Sequence, residues 1–598
     1  FTELCHEDGI LSYVEPYGFG PLNNLEVGGT CDLPMGEFWV GREMNRVESA
    51  ISAAHVYGKP VISAEAFTTR PGLNWKGHPA MAKTTGDLSW TAGINEFMFH
   101  RFAHQANVHV TPGMTMNRWG FHFDRTQTWW QNAGKDWFTY MARGQYLLRQ
   151  GVPVSDLAVF VGDGAPNGVY YRKDFEPALP NNLNFDCINA DVLLNRAEVR
   201  DGKLVLPEGT TYQMLALKNS KGMTLSTLRR LSDFAEAGLP LVGKVPERLL
   251  GFRRPVAEVE EFTRLREELA GKIRPWGDWN QTLSELDITP DVRFIGREDL
   301  TYAHRRVDGQ DVYFVFNPDS ITTELNLAIR TTGNTPESWD ALTGEMYRFS
   351  AYEVGEKTTR IALSLEPRQS RFIVFRSAEP DLPPLPQLEK TEQTIAVNGP
   401  WRVSFTKAGG YGGEETFAKL TDWSGHPKKA INYYSGTATY RTSFTAPAPT
   451  ANERMVLDLG EVNIIAEVKL NGQPVGIDWL PPFQLDVTEQ LREGENELEV
   501  AVTNLWSNRL IGEERYPEHF DGYKIDRVHN GNNTKYRMVD WYKQNLPPPP
   551  GPRTTFTTAD FYDAEDALLP SGLLGPVRIL AYKELNPAPA TAPQNSKK

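Results

Sequence analysis

Residues 33–39 read LPMGEFW and residues 61–68 read VISAEAFT, two short apolar runs that each carry one glutamate towards the C-terminal end. Runs of this length suit buried strands, and an ionised carboxylate is costly to bury unless it is paired or put to use. Glu37 and Glu65 therefore need partners or a task. Two further β-like runs flank them, LSYVEPYG with its core at 12–18 and VHVTPGMTM at 108–116. Between the runs lie helix-patterned pieces. REMNRVESAISAAHVYG (42–58) keeps Val47, Ile51 and Ala54 on one face, and INEFMFHRFAHQ (94–105) keeps Ile94, Phe97, Met98 and Phe102 together. Strands alternating with helices indicate parallel βα units, and such sheets place their chemistry at the strands' C-terminal ends. A closed (β/α)8 barrel needs eight strands and about 250 residues. Four strands make residues 1–150 the second half of a barrel, or else an open four-stranded sheet.

Outward from this segment, the 598 residues exceed one hydrophobic core. The fold class is multidomain α/β plus β. Residues 151–300 form a second, supporting α/β domain, with strands in LAVFVGDG, TYQMLALKN and LPLVGKVP and a helix in TLRRLSDFAEAG. No glycine-rich phosphate loop follows these strands, so a nucleotide site has no support. Residues 301–378 alternate as a β-sandwich does. EPDLPPLPQLEKTE marks a Pro-rich linker over 379–392. A jelly-roll domain is expected over 393–587, where Asn471-Gly472 sits between alternating runs as a hairpin turn. Residues 588–598 read as a disordered tail, and LPPPPGP (546–552) as a surface polyproline segment.

Lys and Arg number 62 against 76 Asp and Glu, a net charge of -14, with no basic run to gather phosphates. Nucleic acid is excluded as a partner, and no apolar stretch approaches the ~20 residues of a membrane span. The N-terminus, FTELCHEDGI, lacks the pattern of a signal peptide. Cys5, Cys31 and Cys187 fit neither a disulfide scaffold nor a zinc ribbon and read as buried thiols.

The segments TTRPGLNWKGHP (68–79), TTGDLSWTAGINEF (84–97) and PGMTMNRWGFHFDRTQTWWQNAG (112–134) are dense in polar and aromatic residues. Trp75, Trp90, Trp119, Trp129 and Trp130 neighbour Asp87, Arg118, His122, Asp124 and Arg125. Flat aromatic faces beside paired polar groups suit a sugar ring, although each tryptophan fits a core anchor equally well. His100 and His104 stand four apart on the expected helix, but Arg101 occupies the place of the base in a zinc-protease motif. With no G-x-S-x-G serine and no cysteine in a nucleophile's setting, carboxylates remain as the catalytic candidates. Glycosidic cleavage needs two of them. An ion pair with Arg42 or Arg70 at a strand end explains the two opening glutamates as well.

FTELCHEDG, YVEPYG, DLPMGEFW, AEAFT, GINEFMFHRFAHQ, PGMTMNRWGFHFDRTQTWW and TNLWSNRLIG together, in this order, resemble glycoside hydrolase family 106, the α-L-rhamnosidases, along nearly the whole chain. The resemblance implies an inverting, calcium-dependent glycosidase with one catalytic glutamate after barrel strand four and one after strand seven. The strands here then match strands five to eight, with Glu15 after five, Glu37 after six and Glu65 after seven. Glu65 is expected as the general base and Glu37 as a second active-site acid of unassigned role. Glu15, Asp87, Trp90, His104, Arg118, Trp119, His122, Arg125 and Trp129 are the expected sugar contacts. The strand-four acid lies upstream of the matching segment, so little turnover is expected from this chain alone. A carbohydrate-binding protein or truncated paralogue without turnover is the alternative. The implied substrate is a terminal α-L-rhamnosyl residue of a plant or pectic glycan, and the implied location is periplasmic or extracellular. The C-terminal domain resembles the sugar-binding-like domain of family-2 glycosidases.

Overall fold

The structure, a computed structural model, describes residues 1–585 apart from 19, 43, 71, 72, 74, 116–120, 219, 220, 378–380, 517–525, 531, 532 and 560. The expected tail at 588–598 lies outside the described residues.

Four parallel strands, β1 (Tyr13–Val14), β2 (Leu33–Trp39), β3 (Ser63–Thr68) and β4 (Glu96–Phe99), form a sheet in strictly sequential order. Helices α1 (Glu48–Tyr57), α2 (Pro79–Ala92) and α3 (Ala133–Leu148) accompany it. Proline at the first position of α2 and a left-handed Gly58 closing α1 are the usual helix boundaries. The fourth strand corrects the sequence reading, which put a helix over 94–105 and the strand at 108–116. Phe97 and Phe99 pack inward, edge-on to Phe38 and stacked on Phe123, whereas Met98 and Phe102 are 43% and 68% exposed. The apolar set that suggested one helical face is thus split with a period of two. Of the expected strand, only Thr111–Gly113 is extended, and it pairs in parallel with Thr555–Thr557 instead. The expected helix over 42–58 shortens to α1, which is buried on nearly every side because the sheet covers one face and the second domain the other.

The second domain is a parallel sheet of five strands, β5 (Leu157–Phe160), β6 (Phe185–Ile188), β7 (Met214–Leu217), β8 (Leu241–Gly243) and β9 (Ile273–Arg274). Their spatial order is β9-β8-β7-β5-β6, the doubly wound 2-1-3-4-5 arrangement. The sequence reading missed β6 and β9. At the switch point, Asp163 accepts from the Thr224 backbone N–H at 2.9 Å and the Thr227 hydroxyl at 2.6 Å. This carboxylate occupies the N-terminus of helix α4 (Leu225–Glu236), where a phosphate would bind in a nucleotide domain.

The following β-sandwich starts earlier than expected. It takes Val292–Phe294 into its four-stranded sheet and Val152–Pro153 into its six-stranded one. One face of the larger sheet, with Phe314, Phe372 and Val374, shares a core with Trp90, Tyr140 and Trp137 of the first domain. The linker expected over 379–392 is corrected as well. Gln387–Ala396 is a strand, paired along its length with Arg578–Leu585, and it opens the C-terminal domain. There a four-stranded and a six-stranded antiparallel sheet enclose Trp401, Tyr440, Leu457, Val500 and Ile579. Asn471 (φ 56°) and Gly472 (φ 77°) form the expected two-residue turn.

Cys31 and Cys187 are buried thiols, whereas Cys5 is half-buried; all three are free. Among the described residues no helix is long and apolar enough to cross a membrane.

Candidate active site

Glu37 on β2 and Glu65 on β3 are register partners across the sheet, and Glu15 follows β1 directly. His100 follows β4. Three carboxylates and an imidazole thus stand side by side along one sheet edge, at the strands' C-terminal ends.

Glu37 is the engaged carboxylate. It is 7% exposed, pairs with Arg46 and accepts from the Trp39 indole N–H, and the Tyr17 hydroxyl donates to it at 3.1 Å. The arginine expected at a strand end is therefore present, but it is Arg46 rather than Arg42 or Arg70. Arg42 instead stacks over Trp39 at 4.2 Å. The approach of Arg46 depends on Gly36, where a Cβ would lie 2.8 Å from the Val47 Cα and 2.9 Å from the Arg46 carbonyl oxygen. That carbonyl accepts from the Glu37 backbone N–H at 3.2 Å.

Glu65 is held more loosely. Its side chain is 30% exposed, takes one hydrogen bond from the Thr68 hydroxyl at 2.7 Å, and lies 4.0 Å from His100 Nε2. The Arg101 guanidinium acts on it electrostatically at longer range. Pairing slips between Glu37 and Trp39, whose partners are Glu65 and Thr68, so β3 carries an extra residue there. Phe67 in this bulge sits at φ 65°, a conformation that costs energy for a bulky side chain. Bulges next to functional sites re-aim side chains, and this one brings Thr68 back onto Glu65.

Charges along the edge are mutually felt. Partial burial holds Glu15 above the usual carboxylate range against the pull of the Tyr17 hydroxyl, and Glu65 and Glu37 push it further. Burial, then the neighbouring Arg101 guanidinium, lower His100, outweighing Glu65 and Glu37. At neutral pH His100 is thus an uncharged hydrogen-bonding group beside Glu65. His122 is buried and pushed down to about 3 by burial, then by Arg101 and His100. It packs on Trp75 at 4.8 Å, and neither of its ring nitrogens has a hydrogen-bond partner among the described residues.

The remaining expected contacts divide. Asp87 and Trp90 lie on α2 in the core, not in a polar loop. Lys83 pairs with Asp87, the Tyr140 hydroxyl donates to it at 2.6 Å, and Trp90 stacks on Phe97. Trp129 is fully buried and donates to the Gly77 carbonyl at 3.0 Å. These three serve the fold: Asp87 and Trp129 spend their polar atoms inside it, and the Trp90 ring is enclosed in the core. His104 and Arg125 are exposed on the loops that follow β4, and His104 is not on a helix. Arg118 and Trp119 lie outside the described residues. Sequence reasoning missed Tyr17, Trp39, Arg46, Thr68 and His100 as members of the edge. A glycine one residue before Glu37 was the available signal for the close approach of Arg46.

The wall beyond β4 comes from the far end of the chain. The Trp506 indole donates to the Thr126 carbonyl at 2.7 Å, and the Ser507 hydroxyl donates to the Trp75 carbonyl at 3.3 Å. Asn107 donates to the Leu546 carbonyl at 2.8 Å, and the Thr115 and Thr558 hydroxyls lie 2.9 Å apart.

Among the described residues no group of three His, Cys, Asp or Glu side chains is arranged to hold a metal ion.

An acidic edge on a parallel βα sheet, walled by β-sandwich domains, has the build of a glycoside hydrolase. Residues 1–354 match the alpha-L-rhamnosidase family, glycoside hydrolase family 106, and residues 424–544 match the galactose-binding-like domain of family-2 glycosyl hydrolases. The chain belongs to the α-L-rhamnosidase family. It is similar to a solved rhamnosidase from Novosphingobium sp. PP1Y, with a TM-score of 0.81 and 27% identity over 97% of this chain and 54% of that one. The chain spans about half the length of that protein. A protein of Formosa agariphila named as a beta-glucuronidase is 27% identical over 97% of this chain and 68% of its own length.

Proposed function

We propose that the chain contributes to the hydrolysis of terminal α-L-rhamnosyl residues of plant or pectic glycans, with inversion, and that Glu65 is the general base. The observation that carries this is the contrast along the sheet edge. Glu37 is locked by Arg46, Trp39 and Tyr17, whereas Glu65 keeps a partly exposed face, with the Thr68 hydroxyl and a neutral His100 beside it and the Arg101 guanidinium at longer range. A general base must reach the water it deprotonates. In an inverting pair the water sits between two carboxyl groups about 6.5–9.5 Å apart. Glu37 then fixes the edge electrostatically and orients the sugar, and Glu15 meets the sugar's hydroxyl rim.

The sequential strand order, with no switch point, supports reading the first sheet as a barrel sector. In that reading the general acid is a residue other than Glu15, Glu37 and Glu65. Calcium, and a periplasmic or extracellular location, are carried over from the family as part of the same proposal.

The test is turnover of aryl α-L-rhamnoside and aryl β-D-glucuronide, with calorimetric titration of L-rhamnose alongside. The chain alone is expected to bind rhamnose and turn over little. In a form of the protein that hydrolyses the rhamnoside, Glu65→Gln should lower kcat by roughly three orders of magnitude or more, consistent with loss of an essential acid-base group. Near-normal turnover by that variant removes Glu65 from the mechanism. Preference for the glucuronide would replace the substrate assignment.

A further inference from the structure

A cavity of about 1180 Å³ lies between α1, α2, the doubly wound domain and the first β-sandwich; it reaches the loop after β2 at Arg42, and none of Glu15, Glu37 and Glu65 lines it. It exceeds the ~300–1,000 Å³ of ordinary small-molecule sites. Its charge is opposite to that of the chain as a whole. Arg42, Arg172, Lys173, Arg305 and Arg368 line it, against only Glu48 and Asp186. Asp186 is already engaged, with His55 Nδ1 at 2.8 Å and the Tyr212 hydroxyl at 3.0 Å.

Two of the cations are held in an unusual way. Arg305 is 6% exposed, and its guanidinium donates to the carbonyls of Gln150 at 2.9 Å and Gly151 at 2.7 Å. Arg172 donates to the carbonyls of Pro180 and Leu183, both at 2.6 Å, and to Asn184 Oδ1 at 3.2 Å. Among the described residues neither has a carboxylate at ion-pair distance. Burial alone pushes Arg305 down to about 10, and burial also pushes Arg172 down to about 10, only partly offset by Tyr302 and Glu48. Buried charges are ordinarily paired, and bidentate recognition of a carboxylate is what a guanidinium does best. Around the cations, Tyr171 adds a half-buried aromatic ring, and Asn45, Thr84 and Thr301 add short polar groups. Flat apolar faces beside small hydrogen-bonding groups suit sugar rings.

We propose that this cavity is a binding site for a carboxylate-bearing saccharide of two or three rings, separate from the acidic edge. The sugar part of the assignment rests on the glycan-directed function proposed above; the carboxylate part rests on the arginines alone. Glu48 provides an internal check. Burial pushes its carboxyl up to about 7, against its own and Val47's backbone N–H groups and the charges of Arg172 and Lys173, with Tyr171 and Cys187 also facing it. Below that pH the lining carries one negative charge fewer, so an anionic ligand should bind more tightly.

Calorimetry with the full chain uses tri-D-galacturonate, the neutral trisaccharide of galactose, and benzoate. Tri-galacturonate should bind at least tenfold more tightly than the neutral trisaccharide and more weakly at pH 8 than at pH 6, and Glu48→Gln should reduce that pH dependence, the His304 imidazole that also lines the cavity carrying the rest. Leu88→Trp, which fills the cavity from an exposed position on α2, and Arg305→Gln should each weaken binding tenfold or more, and Leu88→Trp should leave the melting temperature within a few degrees. Equal binding of the neutral sugar, no binding at all, or binding untouched by Leu88→Trp overturns the site. Benzoate binding as tightly as tri-galacturonate overturns the sugar assignment. Glu65→Gln should leave this binding unchanged, so failure of rhamnoside hydrolysis with intact uronide binding would refute only the glycosidase reading.

Discussion

Lys83 and Asp87 lie one turn apart on α2, both fully enclosed, with the Lys83 ammonium also donating to the Arg368 carbonyl at 2.9 Å and the Ser370 hydroxyl at 3.2 Å. Burial raises Asp87 and Lys83 pulls it back, as expected for a pair that carries its own compensation. Removing one member of a buried pair strands the other and costs about 3–5 kcal/mol. Asp87→Asn should therefore lower the denaturation midpoint sharply and leave rhamnose affinity, measured in calorimetry at a temperature where the variant is folded, unchanged. A selective loss of affinity at full stability would return Asp87 to the site. Glu37 and Glu65 show the other side of the same physics. Each sits on an apolar strand, yet one is satisfied by Arg46 and the other is left partly exposed, with one hydrogen bond from Thr68.

At the scale of elements, the packing of β2 decides how the acidic edge is arranged. A methyl group at Gly36 meets backbone atoms of Arg46 and Val47 rather than a side chain that could swing away. Overpacking of this kind costs about 1–3 kcal/mol. Gly36→Ala should lower thermal stability and weaken rhamnose binding together, because the Arg46 segment is lifted off Glu37; an unchanged melting temperature would contradict this. Much of this architecture was legible in the sequence. The carboxylates on β2 and β3 follow from short apolar runs of strand length, and the sandwich strands and the Asn471-Gly472 turn from period-two patterning and turn chemistry. The misread elements have a common cause. In EFMFHRF the aromatic spacing satisfies both a helical and an extended period, and only tertiary contacts of Phe97 and Phe99 choose between them. Nor does a local pattern reveal the bulge at Phe67, the reach of Arg46 back to Glu37, or the burial of Trp90 and Trp129, since each depends on residues distant in space or on backbone strain.

For the molecule as a whole, the C-terminal domain is tied to the loops that follow β3 and β4 by the Trp506 and Ser507 contacts and by the Thr555–Thr557 strand. Trp506→Phe keeps the ring and deletes one buried donor, leaving the Thr126 carbonyl unpaired, a loss of about 1–3 kcal/mol. Amide exchange of residues 121–126 should accelerate while the sandwich core, around Val500 and Ile579, keeps its protection. Uniform loss of protection would mean that the contact serves global stability instead. The pairing of Gln387 with Leu585 sets the entrance and exit of this domain side by side. A unit whose ends meet can be cut out, re-joined or spliced into a host loop with little disturbance to either partner. By that criterion 387–585 has the end geometry of an insertable unit, one that is nonetheless moored here by Ile465, Trp479 and Leu505, which are buried in the core of the first domain.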